Sequence, residues 1–340
     1  MRRTPQTPYA EKALDSNLPI IDAHHHLAPG PIVSYGPQHG YLLDRLTDDM
    51  TAGHDVRATV YVECGVSYRT TGPEHLRPVG ETEWVLSQRR PANHTLAAIV
   101  GYADVRLGTG VAPILDAHQD VAGEAFAGIR TRATSDPSPD IASAARRGLL
   151  ASDEALAATA ELGRRGLIFE AWVYFHQLGE VARLAAAQPE LVVIVNHLGS
   201  PLATGPYAGS RAAVLDQWRA GLRELARLPN VVLKLGGIGM QPVVDIALDP
   251  GLAGTAPSSA AIAAHWAPEF LFCIDLFGPE RCMFESNFPV DSYLCDYSVL
   301  WNAFKRATAR LSHAERAALF HDTAMRVYRL PDPHLQLETT

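Results

Sequence analysis

Short apolar runs alternate with more polar stretches along most of the chain. The apolar runs are nearly continuous, which is typical of parallel strands that are buried on both faces. Eight of these runs predict strands, over residues 19–27, 58–64, 94–102, 125–131, 167–175, 191–196, 231–235 and 281–286. The stretches between them predict helices over residues 44–52, 81–90, 111–121, 153–165, 178–187, 211–227, 259–277, 297–309 and 313–329.

Strands that alternate with helices at this spacing form parallel βαβ units. Eight such units favour a closed (β/α)8 TIM barrel over an open doubly wound sheet, and the first strand has no glycine-rich phosphate loop after it. We therefore predict an α/β fold with one barrel domain over residues 19–330, an N-terminal arm at 1–18 and a C-terminal tail at 331–340. Long loops are expected to form the pocket walls, at residues 28–43, 65–80, 133–151 and 236–258.

Composition and charge narrow the class of protein. The chain has 340 residues, is 47% hydrophobic and has a formal net charge of −8, with its arginines dispersed. Without a basic stripe, we expect no nucleic-acid partner. The four cysteines form no CxxC pair, which favours reduced thiols over a zinc ribbon or a disulfide scaffold.

The N-terminal stretch is charged and lacks the apolar segment of a secretory signal. No run approaches the length that crossing a bilayer requires. We therefore expect a soluble, cytoplasmic protein without a membrane partner. A homodimer is plausible, because two-fold dimers are the commonest oligomers of soluble proteins.

The first predicted strand ends in three consecutive histidines, in the stretch PIIDAHHHL. Side chains alternate along a strand, so His24 and His26 point to one face and His25 to the other. Two imidazoles on one face can converge on a metal ion or a substrate oxygen. The alternative is a hydrogen-bonded core histidine beside a solvated one, but the clustering favours a site.

Ionisable residues stand near the carboxyl ends of most of the other predicted strands, where a barrel enzyme carries its chemistry. They are Glu63, Arg130, Arg132, Glu170, His176, His197, Lys234 and Glu285, with Asn287 and Asp291 just beyond the eighth strand. Each also has a structural alternative. Glu63, Glu170 and Lys234 could pair in a buried ionic layer, His176 could start a helix, and Arg130 could be a surface charge.

Five motifs together resemble the amidohydrolase superfamily, in particular the second amidohydrolase family with its lactonase-like and decarboxylase-like enzymes. The motifs are IDAHHHL, GIRTR, VNHLGSP, VVLKLGG and MFESNFPVD, and they cover nearly the whole chain. The resemblance implies a (β/α)8 barrel and a first-strand pair of His24 and His26. It also implies functional histidines at His176 and His197, and it places Asn287 where the family usually has its catalytic aspartate.

The eighth-strand motif departs from the family pattern at two positions. Glu285 stands in place of the usual glycine, and Asn287 stands in place of the aspartate. An asparagine cannot take a proton from water and is a poor zinc ligand. We hypothesise that Glu285 supplies the missing carboxylate, as general base or metal ligand. The alternative is that Glu285 forms an ion pair with Lys234 or an arginine.

The resemblance implies mixed use of metal, because some members of this branch carry zinc and others work without a metal. One divalent ion, most simply Zn²⁺, would be held by His24, His26, His197 and Glu285. It would activate water or polarise a carbonyl. In a metal-independent site the histidines would instead donate hydrogen bonds to the carbonyl oxygen.

These residues together predict a hydrolase that acts on a small, anionic, carboxylate-bearing substrate such as a lactone. His24, His26 and His197 would polarise the carbonyl or bind metal, and Glu285, or less favourably Asp291, would activate water. The expected substrate-binding residues are Arg130, Arg132, Glu63 and Lys234, with His176 as a further acid or base. The alternatives are a metal-dependent decarboxylase of an aromatic or unsaturated acid, and a catalytically lapsed barrel that only binds ligand.

Overall fold

Eight parallel strands form one sheet in which each strand pairs with the next along the chain. The structure is a computed structural model that describes residues 11–33, 39–89, 96–245, 247–250 and 254–330. The strands are β1 (Pro19–His25), β2 (Asp55–Val62), β3 (Leu96–Gly101), β4 (Phe126–Arg132), β5 (Ile168–Trp172), β6 (Val193–Val195), β7 (Val231–Leu235) and β8 (Cys282–Phe284). The predicted barrel is therefore confirmed. Most of the predicted arm and all of the tail lie outside the described residues.

Helices cover the outside of this ring. They are α1 (Leu43–Met50), α2 (Val79–Gln88), α3 (Ala112–Ala122), α4 (Asp153–Arg164), α5 (Leu178–Ala187), α6 (Arg211–Ala226), α7 (Ser259–Phe277), α8 (Tyr297–Ala307), α9 (His313–Ala317) and α10 (Thr323–Val327). The predicted last helix is interrupted between α9 and α10 by a π-helical turn, Ala318–Asp322. Such turns insert one residue into the helical hydrogen-bond pattern, which a periodicity argument does not detect.

The ring closes between β8 and β1 through the segments that follow the two strands. The backbone N–H of Asn287 donates to the carbonyl of His24 at 2.8 Å, and that of His26 donates to Phe288 at 2.7 Å. The Asp22 carboxylate also accepts the backbone N–H of Ser286 at 2.8 Å. Burial raises the pKa of Asp22 to about 6. This closure brings the histidines of β1 beside the residues that follow β8.

Apolar side chains fill the lower part of the barrel interior. Ile21, Ile168, Ile194, Val232 and Met283 belong to one buried cluster there. Side chains of the C-terminal segment, Val327, Tyr328 and Leu330, belong to the same cluster and cover this end of the barrel. A second, larger cluster packs the helices against the outer faces of the strands. The apolar floor leaves only the opposite end of the barrel for a polar site.

Helix α7 is long and apolar enough to cross a membrane by length and composition, with 19 residues and a mean hydropathy of 1.3. The expectation that no run reaches that length is therefore wrong on these two criteria. Trp266, Phe270 and Cys273 of α7 are buried against the rest of the barrel. A core helix of a barrel meets the same two criteria, because its inner face is apolar.

Candidate active site

The interior changes from apolar to polar within two residues on four neighbouring strands. Residues two apart on a strand point the same way. Ile168 is followed by Glu170, Ile194 by Asn196, Val232 by Lys234, and Met283 by Glu285. All four polar side chains are fully buried. The sequence places polar groups directly above the apolar floor, and buried polar groups require partners.

The carboxylate of Glu285 orients two histidines from different strands. Its Oε1 accepts a hydrogen bond from Nδ1 of His197 at 2.8 Å and from the backbone N–H of the same residue at 3.0 Å. Its Oε2 lies 2.9 Å from Nδ1 of His24. Because a carboxylate only accepts, Nδ1 of His197 carries the proton, whereas Oε2 of Glu285 forms no hydrogen bond with any described residue. The predicted ion pair of Glu285 with Lys234 or an arginine is not formed among the described residues.

Two glycines of the VVLKLGG motif make room for this arrangement. A Cβ on Gly236 would lie 2.4 Å from Cγ of Glu285, and a Cβ on Gly237 would lie 2.5 Å from Cβ of His197. Gly237 also has a φ of +65°, in the region that favours glycine. Larger residues here would separate the carboxylate from the imidazole.

His24 and His26 face each other, as the alternation along β1 predicts. Their Nε2 atoms lie 3.3 Å apart. Nδ1 of His26 donates to the carbonyl of Val62 at 2.7 Å, which leaves Nε2 of the neutral ring as an acceptor. Burial lowers the pKa of both rings well below the ordinary value for histidine, so both are neutral. Nε2 of His24 is therefore the donor in its contact with Nε2 of His26, and both atoms reach the same space.

Lys234 lies below this space and forms a buried ion pair with Glu170 at 2.8 Å. Glu170 also accepts hydrogen bonds from Asn196 at 2.7 Å and from the hydroxyl of Tyr328 at 2.6 Å. The Lys234 ammonium is 3.3 Å from Nδ1 of His24. The predicted buried ionic layer is thus present for this pair. The side chain of Lys234 is fully buried beneath the histidines, and its assignment as a substrate-binding residue stays a prediction.

Arg130 and Arg132 of β4 share one carboxylate. Nε of Arg130 donates to Oε1 of Glu63 at 2.9 Å, and Nε of Arg132 lies 3.5 Å from the same oxygen. Glu63 is fully buried and does not line the cavity, and its assignment as a substrate-binding residue stays a prediction. Nη1 of Arg130 lies 3.5 Å from Nε2 of His24. The buried Glu81 also acts on Arg132, so the two guanidinium groups have two carboxylates nearby.

A cavity of about 240 Å³ opens above these groups. Its polar lining residues include His26, Arg130, Arg132, Thr134, His197 and Asn287. His24 and Glu285 are fully buried just below it. Three of the four predicted loops contribute walls, through Ile32 and Val33, through Thr134 and residues 142–144, and through Met240. Among the described residues, loop 65–80 contributes none. The structure thus brings His26 and His197 to one cavity, as the barrel prediction requires.

Asn287 and Asp291 form a separate pair at the edge of the cavity. Nδ2 of Asn287 donates to Oδ1 of Asp291 at 2.7 Å, and the backbone N–H of Gly239 donates to Oδ2 at 2.9 Å. Asp291 is fully buried and does not line the cavity, and burial raises its pKa well above the usual range. Its assignment as the less favoured group that activates water stays a prediction.

His176 lies outside the cluster of histidines. Its Nε2 contacts the carbonyl of Ser135 at 3.0 Å, and its ring stacks on Tyr207. It is not among the residues that line the cavity. The short helical turn after β5 places His176 beside the neighbouring loop, and its assignment as a catalytic acid or base stays a prediction.

Two aromatic residues of the site were not among the sequence predictions. Trp172 and Tyr174 both line the cavity. Arg130 lies over the Trp172 ring at 5.8 Å, and this ring meets His197 edge-on at 5.7 Å between centroids. The signal in the sequence was a pair of aromatic residues two apart at the end of a predicted strand, which places both on one face.

The amidohydrolase family model matches residues 21–330. The chain belongs to the amidohydrolase family. The uncharacterized protein y4mH of Sinorhizobium fredii is 30% identical over 333 residues, which are 93% of this chain and 100% of that protein. An L-fucono-1,5-lactonase of Burkholderia multivorans is 35% identical over 167 residues, which are 49% of this chain and 52% of that protein.

A solved amidohydrolase of Burkholderia multivorans with bound zinc has the same fold. It is 26% identical with a TM-score of 0.69, and the match covers 92% of this chain and 99% of that chain. In the present amidohydrolase, His24, His197 and Glu285 form a potential metal-binding group whose ligand atoms all lie within 4.8 Å of one another. Oε1 of Glu285 is occupied by His197, whereas its buried Oε2 has no hydrogen-bond partner among the described residues.

The donor set of this amidohydrolase fits a cation at His24 and His26. Nδ1 of His26 faces the Val62 carbonyl, Nδ1 of His24 lies 2.9 Å from Oε2 of Glu285 and 3.3 Å from the Lys234 ammonium, and the two Nε2 atoms lie 3.3 Å apart. Oxygen partners on the far ring nitrogen are the usual support of metal-ligating histidines. The guanidinium of Arg130, 3.5 Å from Nε2 of His24, acts against a cation at this place.

Proposed function

We propose that this amidohydrolase opens a small lactone that carries an anionic group. The observation that carries the proposal is the Glu285–His197 pair at the base of a cavity that Arg130 and Arg132 line. An oriented imidazole can take a proton from water, and guanidinium groups can hold a carboxylate by two parallel hydrogen bonds. The name of the lactonase relative supports a cyclic ester as the bond that is hydrolysed.

His197 is the proposed general base, and Glu285 is its positioning residue. No described residue forms a hydrogen bond with Nε2 of His197, and the ring lines the cavity. Nε2 takes a proton from water, and the hydroxide attacks the lactone carbonyl carbon. The ring C–O bond then breaks, and the proton passes from His197 to the departing oxygen. Glu285 stabilises the intermediate imidazolium through Nδ1, as the carboxylate of a catalytic triad does.

Asn287 and Arg130 position the reactants in this proposal. The Nδ2 group of Asn287 is bonded to Asp291, which directs its Oδ1 atom as an acceptor for the attacking water. Arg130 binds the anionic group of the substrate, and the ring of Trp172 supports its guanidinium. In this proposal Asn287, at the position of the usual catalytic aspartate, orients the water, and His197 takes the proton.

We further propose that one divalent ion, zinc by analogy with the Burkholderia multivorans amidohydrolase, binds at His24 and His26. When it is bound, such an ion supplies a Lewis acid that polarises a carbonyl oxygen. His26 presents its Nε2 atom to the cavity, and His24 presents its own from just below. The Val62 carbonyl holds the His26 ring in the tautomer that binding requires, and Oε2 of Glu285 lies 2.9 Å from Nδ1 of His24.

The test measures turnover of two matched sets of lactones by the purified protein. Ring opening is monitored through the proton that it releases. One set is neutral, with L-fucono-1,5-lactone among its members, and the other carries a carboxylate. We expect kcat/KM to be about tenfold or more higher for the carboxylate-bearing set. If the protein released carbon dioxide from aromatic carboxylic acids and opened no lactone ring, it would be a decarboxylase and not a hydrolase. Ligand binding without turnover of either class would favour the lapsed barrel.

A further inference from the structure

Glu81 of α2 is a buried carboxylate behind the cavity that the sequence did not single out as a candidate. The residue is 2% exposed and is not among those that line the cavity. Its Oε1 accepts the hydroxyl of Tyr61 at 2.7 Å and the backbone N–H of Cys64 at 2.7 Å. The backbone N–H of Gly65 donates to the same oxygen at 3.1 Å. Three donors from the end of β2 and the residues after it therefore converge on one oxygen.

The peptide that Glu81 holds is the one that contacts both arginines of the cavity. Glu63 accepts Nε of Arg130 at 2.9 Å through its carboxylate, and its backbone carbonyl accepts Nη2 of the same arginine. A Cβ on Gly65 would lie 3.2 Å from Nη2 of Arg132, so the backbone of Gly65 lies against that guanidinium. Displacement of this peptide would therefore displace both guanidinium groups.

Glu81 also takes part in a buried group of four charges. Glu63 pairs with Arg130 at 2.9 Å and lies 3.5 Å from Nε of Arg132. The charge of Glu81 acts on Arg132 as well, and it is opposed by the charge of Glu63. Two guanidinium groups and two carboxylates balance when Glu81 is ionised. Protonation of Glu81 leaves these four groups with one positive charge.

Burial, and then the charge of Glu63, raise the pKa of Glu81 to about 7. The neighbouring groups keep one charge state near that pH. Burial raises the pKa of Tyr61 and of Cys64 well above their ordinary values, and it raises the pKa of Tyr68 in the following loop. All three therefore stay protonated, so the proton that binds in this region near neutral pH binds to Glu81.

The groups on the other sides of α2 do not titrate in this range either. His118 of α3 contacts the hydroxyl of Thr82 at 2.9 Å, and burial lowers the pKa of His118 to about 4. Arg69 donates to Glu83 at 3.1 Å, and this contact lowers the pKa of Glu83. His118 therefore stays neutral, and Arg69 and Glu83 stay charged.

We propose that Glu81 is a positioning residue for Arg130 and Arg132. Its hydrogen bonds hold the peptide that contacts the two guanidinium groups, and its charge sets how strongly they attract an anion. The inference rests on the proposed function in one respect, because that function assigns the anionic group of the substrate to Arg130. Since ionised Glu81 opposes a bound anion and neutral Glu81 does not, anion binding tightens as pH falls through the neutral range.

The experiment measures binding of benzoate by titration calorimetry and does not depend on turnover. Benzoate stays ionised between about pH 6 and pH 8, and benzamide is its uncharged counterpart. We expect the wild-type protein to bind benzoate about threefold or more tightly at pH 6 than at pH 8, and to bind benzamide equally at both. Equal benzoate affinities at the two pH values would overturn the proposal.

Two substitutions of Glu81 separate its charge from its hydrogen bonds. Glu81→Gln removes the charge but keeps an oxygen that accepts from Tyr61 and Cys64. It should bind benzoate about threefold or more tightly than wild type at pH 8 and similarly to wild type at pH 6. Glu81→Ala removes the hydrogen bonds as well, and it should weaken benzoate binding about tenfold or more at both pH values. If the two variants bound benzoate equally, Glu81 would not position the arginines.

Glu83 provides a matched control in the same helix. It lies two residues after Glu81, is exposed and pairs with Arg69. Glu83→Gln should leave benzoate affinity unchanged at both pH values, and an effect equal to that of Glu81→Gln would contradict the proposal. Melting temperatures show whether each variant is folded. If Glu81→Gln does not fold, Tyr61→Phe decides the matter: it removes one donor to Glu81 and should move the midpoint of the pH dependence upward, whereas an unchanged midpoint would overturn the proposal.

Failure of this inference can be told apart from failure of the proposed function. If no lactone is turned over but benzoate affinity responds to the Glu81 substitutions as described, the positioning role holds and the hydrolase proposal fails. If lactones are turned over but benzoate affinity does not respond to Glu81, the positioning role fails alone.

Discussion

Nδ1 of His197 donates a hydrogen bond to Oε1 of Glu285 at 2.8 Å, across the mouth of the barrel from β6 to β8. The same oxygen accepts the backbone N–H of His197, so the carboxylate holds both the ring and the peptide that carries it. His197 has a φ of +55°, which is unusual for a residue with a side chain. The backbone contact with Glu285 supports this conformation and directs Nε2 into the cavity.

Glu285→Gln should lower kcat by about 100-fold or more, because the base loses the negative charge that stabilises its protonated form. KM should change little, since Glu285 is buried below the cavity and does not contact substrate. Steady-state kinetics on the best lactone of the panel provides the measurement.

A second buried glutamate offers a control for that substitution. Glu269 of α7 is 4% exposed and lies 3.3 Å from Arg211, outside the barrel interior. Glu269→Gln should keep kcat while lowering the melting temperature to a similar degree. If Glu285→Gln retained wild-type kcat with the fold intact, the pairing with His197 would have no role in turnover.

Arg130→Ala should raise KM for an anionic lactone by about 10- to 100-fold, since it removes charge-assisted hydrogen bonds. KM for a neutral lactone of the same ring size should change far less. Arg130→Ala also destabilises the fold, because Glu63 loses its closest ion-pair partner. A comparison of the two KM values within this one variant cancels that effect. Equal increases for both lactones would contradict an anchoring role.

Zinc affinity should depend on His26 and Arg130 in opposite directions. His26→Ala removes one of two Nε2 ligands and should weaken zinc binding by about tenfold or more. Arg130→Ala removes a positive charge 3.5 Å from Nε2 of His24 and should tighten binding by about tenfold. Competition against a chromophoric chelator measures both affinities, with zinc content determined by elemental analysis. Wild-type zinc affinity in the His26→Ala protein would rule out the site.

The fold and the composition of the cavity follow from the sequence because they rest on period-two alternation. Alternation along β1 placed His24 and His26 together. Glu285 and Asn287 both follow β8, and Asn287 has a φ of +54°, so alternation does not set their relative positions. A closed ring then brings the ends of distant strands to one side. The predicted barrel therefore indicates which residues meet at the cavity, but it does not indicate the role of each residue.

The roles were harder to predict, because they depend on depth along the barrel axis and on loop conformation. Lys234 and Glu63 point inward as expected, but both are fully buried below the cavity lining. His176 follows β5 by a few residues, and the helical turn Phe175–Gln177 carries it away from the histidines.

Acid should destabilise the protein through His118, a fully buried residue of α3. Its Nε2 donates to the carbonyl of Tyr102 at 3.1 Å, the Thr82 hydroxyl donates to Nδ1 at 2.9 Å, and its ring stacks on Phe126. Burial lowers the pKa of His118 to about 4. Because the folded-state pKa is below the ordinary 6.5, this residue contributes stability that is fully present above pH 6.5 and is lost as pH falls through about 4.

The contribution amounts to about 3 kcal/mol of unfolding free energy, from a pKa difference of about 2.5 units. His118→Gln should be less stable than wild type at pH 7, and the difference should shrink as pH approaches 4. Urea unfolding between pH 7 and pH 4 measures it, with the exposed His75→Gln as the control that keeps the wild-type dependence. Parallel pH curves for the His118 variant and wild type would show that another group drives acid unfolding.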